Sequence, residues 1–198
     1  LRRRAELPPG SRDLAVLETS GVTAKGERGT LVAASPEGLQ ALSWGISTRG
    51  GSQSSGAFAP CSRMSCLAPL GTQSFATGDD DGAVRVWHYR RGVLKQVYNV
   101  AAHTGAVRDL ANAGDTLFTA SADGRVRQLN VLADFACSDF FCAGGPVHSV
   151  ATRGKYVLAG CEAGVVWELA QRMACTRIFR RLDMGTPSPV VALAADAP

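Results

Sequence analysis

Phe75-Ala76-Thr77-Gly78-Asp79-Asp80-Asp81-Gly82-Ala83-Val84-Arg85-Val86-Trp87 is the stretch that decides the fold. An alternating apolar run meets an Asp-Gly turn, and a second alternating run follows. Side chains on an extended strand switch faces at every residue, so a period of two with a glycine turn between the runs reads as a β-hairpin. An amphipathic helix repeats every 3.6 residues, which these runs do not. Gly82 supplies the positive φ that a tight turn requires.

The same ribbon recurs at residues 117–129 and 157–169, with a weaker copy at 31–42. The four turn glycines, Gly38, Gly82, Gly124 and Gly164, lie 44, 42 and 40 residues apart. A further strand precedes each hairpin: residues 106–111 match 146–151 and 189–194, and more loosely 63–68. Another follows it, at 94–100, 135–142 and 174–179. Each unit is thus a four-stranded meander of about 40 to 45 residues, the unit of a β-propeller. Armadillo-type solenoids share the period but are helical.

Ala102-His103-Thr104-Gly105-Ala106-Val107, followed by Ser121-Ala122-Asp123-Gly124, resembles the WD40 repeat. That family has Gly-His entering a blade, a Ser-x-Asp-Gly turn, and Trp-Asp closing the third strand, where Trp87-His88 stands here. The resemblance spans roughly residues 30 to 194. It implies an all-β, WD40-like propeller of about four to five four-stranded blades over residues 1–198, part of a seven-bladed ring. An open arc leaves strand edges exposed. Further blades, another chain, or an N-terminal strand at residues 13–18 are the candidates to complete it.

In the family a His, a Ser or Thr, an Asp and a Trp form a buried hydrogen-bonded network within a blade. Carried over residue by residue, His103, Thr119 or Ser121, and Asp123 take three of the roles, with Leu129 in the Trp position. The preceding blade offers Thr77, Asp81 and Trp87, with Pro60 near the expected His. The following blade has Ala163 for the Asp, and its Trp167 stands two residues early. His103 and Asp123 are expected to satisfy each other, and the other blades to rely on apolar packing. The face implied to meet partners carries Arg63, Asp80, Asp81, Thr104 and Ala122. The acidic triplet 79–81 reads either as a receiver for a basic partner motif or as a solvated turn. Arg85 and Arg127, which recur in the third strands, are expected to face solvent or a neighbouring blade.

Composition narrows the chemistry. The formal net charge is +4, and the basic residues are scattered rather than gathered into a stripe, which disfavours nucleic acid. No apolar run approaches the roughly 20 residues of a membrane span, and no apolar stretch of signal-peptide length follows Leu1-Arg2-Arg3-Arg4. Cys61/Cys66 and Cys137/Cys142 have four-residue gaps without a histidine at knuckle spacing, so no metal is expected. Free thiols in a reducing compartment follow, with the cytoplasm as the default and nuclear or organellar placement left open. The Gly/Ser-rich residues 47–60 read as a flexible surface insertion and 21–29 as a second exposed loop.

No phosphate-binding glycine loop, nucleophile elbow, metal cluster or paired acids are present. The expectation is therefore no catalytic residue, no cofactor and no small-molecule substrate. The function read from the chain is a non-catalytic protein–protein interaction scaffold or adaptor in a larger multi-subunit assembly. The alternatives are a propeller domain recruiting substrates for a larger enzyme, such as a kinase or ubiquitin ligase, and an RNA-contacting propeller.

Overall fold

The computed structural model describes residues 13–18, 28–35, 38–45, 55–60, 63–90, 93–172 and 175–195. Four antiparallel sheets of four strands each are built from them. The first holds β1 (Asp13–Glu18), β2 (Arg28–Ser35), β3 (Gly38–Gly45) and β4 (Ser55–Pro60). The second holds β5 (Met64–Pro69), β6 (Ser74–Asp79), β7 (Ala83–Arg90) and β8 (Val93–Ala101). The third holds β9 (Val107–Ala113), β10 (Thr116–Ser121), β11 (Arg125–Asn130) and β12 (Ala136–Cys142). The fourth holds β13 (Val147–Arg153), β14 (Tyr156–Cys161), β15 (Val165–Arg172) and β16 (Cys175–Asp183). Spatial order follows chain order in every sheet. Among the described residues the sole helical segment is a single 3-10 turn, Glu162–Gly164.

The repeats superpose in register. Phe75 pairs with Trp87, Leu117 with Leu129 and Val157 with Leu169, all at one place in the hairpin. First strands β1, β5, β9 and β13 lie beside one another in that order, so the sheets radiate from a shared axis. The core lies between sheets. Val32 and Leu39 of the first sheet pack with Met64, Phe75 and Trp87 of the second. Val84 and Val86 pack with Val107, Leu117 and Leu129 of the third. Phe118, Val126 and Phe140 pack with Val147, Val157 and Leu169 of the fourth. A sheet with two apolar faces needs cover on both, and successive blades provide it. Each fully buried Phe, Leu or Val contributes about 1.5 to 3 kcal/mol of transfer free energy.

The turn glycines join neighbouring sheets. Gly82, Gly124 and Gly164 have φ of 85°, 83° and 70°. Their carbonyls accept the N–H of His103 (2.9 Å), Ala143 (2.8 Å) and Met184 (2.9 Å), the residues that lead toward the next blade. A Cβ on Gly82 would overlap the His103 carbonyl oxygen. Glycine is thus required there both for backbone sign and for approach. Gly38 differs: it opens β3 opposite Ser35, with φ of 150°, and is a strand residue.

Several sequence expectations shift. Residues 13–18 form the first strand of the first sheet and pair with β2, so they supply that blade and not a closure of the arc. The last six residues of the expected insertion at 47–60 are ordinary structure: Ser55–Pro60 is β4, paired along β3. Small and polar residues suffice for an outermost strand, because its ladder bonds come from the backbone. Residues 47–54 lie outside the described residues, as do 21–27 of the second loop; Arg28 and Gly29 belong to β2. The strand expected from residue 135 starts at Ala136, since Asp134 (φ 49°) and Phe135 (φ 58°) complete a left-handed turn.

Residues 189–194 form no strand. Val190 N–H donates to the Cys161 carbonyl (3.0 Å) and Ser149 Oγ donates to the Val190 carbonyl (2.7 Å). This places Val190 against the fourth sheet as Val107 stands against the second, where Ser65 Oγ donates to the Val107 carbonyl. The segment therefore sits where a next first strand runs, with no ladder partner among the described residues.

Candidate functional site on the turn face of the sheets

One end of the arc gathers the glycine turns and the segments entering β9 and β13. In the third sheet, His103 enters beneath the turn between β10 and β11. Its Nδ1 is 3.0 Å from Asp123 Oδ2 and its Nε2 is 2.6 Å from Thr119 Oγ1. The side chain of His103 is fully buried and Thr119 has no exposed area. Burial holds the imidazole pKa below its ordinary 6.5, against the opposing pull of the Asp123 carboxylate. An ionised carboxylate only accepts, so Nδ1 carries the proton and donates, and Nε2 accepts from the Thr119 hydroxyl.

Burial works to raise the Asp123 pKa, but the His103 hydrogen bond and charge and the N–H groups of Thr104 and Arg125 more than offset it. The net shift is downward. Ser121 does separate work: its Oγ accepts the Asp123 N–H (3.1 Å) and donates to the Gly105 carbonyl (3.0 Å). Asp, His and Thr also make up a nucleophile relay by residue type. Here the hydroxyl is sealed in the core, so the trio is a fastener of the turn. Nor are the thiols of Cys137 and Cys161 activated: burial raises the pKa of Cys137, and pushes that of Cys161 up to about 11.

The second sheet uses a different set. Trp87 Nε1–H donates to Thr77 Oγ1 (3.0 Å), and its ring stacks on Phe75. Asp81, expected as the network acid, is displaced from that role. Its side chain is 64% exposed and pairs with Arg63 Nη1 at 3.2 Å. The buried acid is Asp79, which stands where the third sheet has Ser121. Asp79 Oδ1 accepts the N–H of Asp81 (3.0 Å) and Ala83 (2.8 Å), and Oδ2 meets Arg85 Nη1 at 2.6 Å. Arg85 thereby turns onto its own blade's turn rather than to solvent or a neighbour. Arg127, one blade on, binds Asp139 (2.8 Å) and the Ala102 carbonyl.

In the fourth sheet all four network positions are apolar: Ala143, Ala159, Ala163 and Leu169. Replacing every member leaves no orphaned polar group, which is why the blade tolerates the loss. On its surface His148 Nε2 lies 2.8 Å from Glu162 Oε1. Trp167, off the network position, packs on Phe141 and beneath Arg181.

The five partner-facing candidates share this end. Arg63 is exposed, with φ of 67°, and its carbonyl accepts the Asp80 N–H (2.9 Å). Asp80 and Ala122 are half-buried on their turns and Thr104 is exposed. The residues missed from sequence were Asp79 as the turn acid, the His148–Glu162 pair and the exposed Arg108. Aligning the repeats on their glycines reveals each of them: Asp79 falls on Ser121, Arg108 on His148, and Glu162 on Ala122. Among the described residues no group of three metal-ligating side chains occurs.

Residues 54–88 and 94–129 match the family model described as WD domain, G-beta repeat. The chain thus carries WD40 repeats at two positions. Over 102 residues it is 29% identical to a putative E3 ubiquitin-protein ligase LIN-1 of Lotus japonicus, covering 49% of this chain and 7% of that protein. Among solved structures, WD40-type likeness extends to Chaetomium thermophilum Sqt1 bound to the N-terminus of ribosomal protein L10. That match has a TM-score of 0.71 and 19% identity, and covers 83% of this chain and 50% of Sqt1. The computationally designed Ika8 protein matches with a TM-score of 0.67 and 18% identity, over 84% of this chain and 50% of its own. The chain thus spans half, or far less, of these relatives. The shared fold is the WD40 arrangement of radial four-stranded sheets.

Proposed function

We propose that this chain is a non-catalytic scaffold that holds protein partners on its turn face, within a ring of further blades and a larger assembly. The observation that carries the reading is the contrast at that face. Below it, turns are pinned by buried bonds such as His103–Asp123 and Asp79–Arg85. Above it, Arg63, Asp81, Thr104 and Glu162 are presented to solvent. A stiff surface loses little entropy when it binds, which suits recognition. The Sqt1 structure, with a ribosomal-protein segment bound, supports a polypeptide as the occupant. Arg63, Arg85, Arg125 and Arg127 are each engaged by a carboxylate, which speaks against a phosphate-binding stripe. The free thiols of Cys137, Cys142 and Cys161 support the cytoplasm as the compartment.

The test is comparative capture. Proteins retained by the immobilised chain are compared with those retained by Arg63→Glu/Thr104→Glu and by Arg153→Glu, a change at the opposite end. Loss of partners on the first variant alone supports the reading. Loss on the second alone, or on neither, contradicts it.

The LIN-1 match favours a second reading, substrate recruitment for ubiquitin ligation. It requires that captured proteins become ubiquitinated when the full-length protein is supplied with the ubiquitin-activating and conjugating enzymes.

A further inference from the structure

The repeats can be compared position by position at the turn face, and the comparison exposes one unmatched charge. The second residue of β13, His148, meets an acid across the sheet: its Nε2 lies 2.8 Å from Glu162 Oε1 on the turn between β14 and β15. Forty residues earlier the same two positions hold Arg108 and Ala122. The ring N–H is replaced by a guanidinium that is always charged, and the acid is reduced to a methyl group. Arg108 is exposed and makes no ion pair among the described residues. The carboxylates nearest in sequence and on the adjoining turns are committed elsewhere. Asp109 accepts the N–H of Leu110 (2.8 Å) and Val150 (2.9 Å), Asp123 is held by His103, and Asp81 is held by Arg63. Thr104 stands exposed on the segment that enters the same blade, and its hydroxyl supplies a further donor.

Of the acidic triplet 79–81, Asp79 is buried against Arg85 and Asp81 is paired with Arg63. Two of the three acids are thus engaged by arginines of the second sheet and the segment before it.

We propose that Arg108 receives an acidic side chain of a partner polypeptide, which takes the place that Glu162 fills for His148 and Ala122 leaves open. A planar guanidinium binds a carboxylate through two parallel N–H donors, so the contact selects an acid at one position in the partner. The proposal rests on the turn face being the partner-binding surface, and it specifies the chemistry of the occupant.

A display library of random twelve-residue peptides, selected on the immobilised full chain, is the probe. The expected result is enrichment of Asp or Glu at one position of the recovered peptides. Arg108→Ala is expected to weaken the recovered peptides by roughly tenfold or more, and Arg108→Glu to select Lys or Arg at that position. Ala122→Glu, which installs the acid internally, is expected to weaken the same peptides with Arg108 still in place. Melting curves show whether each variant is folded, and Arg153→Glu serves as the remote control.

Peptides blocked by Thr104→Glu but lacking an acidic position would overturn the proposal and leave the turn face as a binding surface. Recovery of no peptides, or of peptides indifferent to every turn-face change, would count against both readings. Peptides that gain more than tenfold when a phosphoserine replaces the acid would show that the site is built for phosphate, and so also overturn the carboxylate assignment.

Discussion

His103 Nδ1 lies 3.0 Å from Asp123 Oδ2, joining the segment that enters the third sheet to the turn of that sheet's own hairpin. The same imidazole reaches Thr119 at 2.6 Å, so one side chain ties the entering segment to a strand and a turn. A buried fastener of this kind has measurable consequences.

Acidification destabilises the chain through this pair. Both folded-state pKa values lie below the ordinary values, so the unfolded chain binds protons first. The His103 contribution is present above pH 6.5 and is lost as pH falls below it toward the folded value; the Asp123 contribution is lost below about 3.8. Urea midpoints measured from pH 7.5 to 5 should fall in the wild type and fall less in His103→Asn. Equal slopes would mean that His103 does not carry the effect. At pH 7.5, His103→Ala should cost about 2 kcal/mol, because the buried Thr119 hydroxyl and Asp123 both lose their imidazole partner.

Asp79 and Asp81 should separate cleanly. Asp79→Ala removes a buried carboxylate from two amides and from Arg85, and should cost about 2 to 3 kcal/mol. Asp81→Ala removes one exposed ion pair and should stay within about 0.5 kcal/mol. Chemical denaturation of the two variants side by side makes the comparison. A larger loss from Asp81 would restore it as the structural acid.

Trp87→Leu converts the second sheet to the pattern of the third, where Leu129 holds the equivalent place. The Thr77 hydroxyl loses its donor and Phe75 its stacked neighbour, so the loss should be about 2 kcal/mol or more. Trp87→Phe should recover part of the packing but not the hydrogen bond. If thermal melts show Phe equal to wild type, the indole N–H carries no weight.

Glycine-to-alanine changes should divide by location. Gly114 has φ of 69° with open space around its missing Cβ, so Gly114→Ala should cost only the backbone term of about 1 to 2 kcal/mol. Gly82→Ala carries that term and also forces apart the contact with His103 of the next sheet, so its loss should be clearly larger. Melting temperatures of the two variants test this, and equal shifts would mean that the turn glycines do not set blade spacing.

Much of this architecture was legible in the chain, because alternation and turn glycines are local signals. The hairpins at 75–87, 117–129 and 157–169 needed nothing beyond period and Gly placement. The β4 strand, Ser55–Pro60, was hidden because an outermost strand is held by backbone bonds and its residues need not be apolar. The end of the chain misled in the opposite way. Residues 189–194 carry a first-strand pattern, yet a strand needs a ladder partner that the pattern cannot supply. At the site, His103 with Asp123 followed from the repeat, whereas Asp79 did not. Three consecutive aspartates look alike in sequence; only the structure separates them, with Asp79 buried against Arg85 and Asp81 exposed beside Arg63.

The most direct test of the account is amide hydrogen exchange on the chain with and without a peptide selected on it. The account predicts slowed exchange at Asp80–Gly82, Thr104–Ala106 and Ala122–Gly124, with the turns at 70–73, 114–115 and 154–155 unchanged. Protection confined to those opposite turns, or spread along the outermost strands, would contradict it.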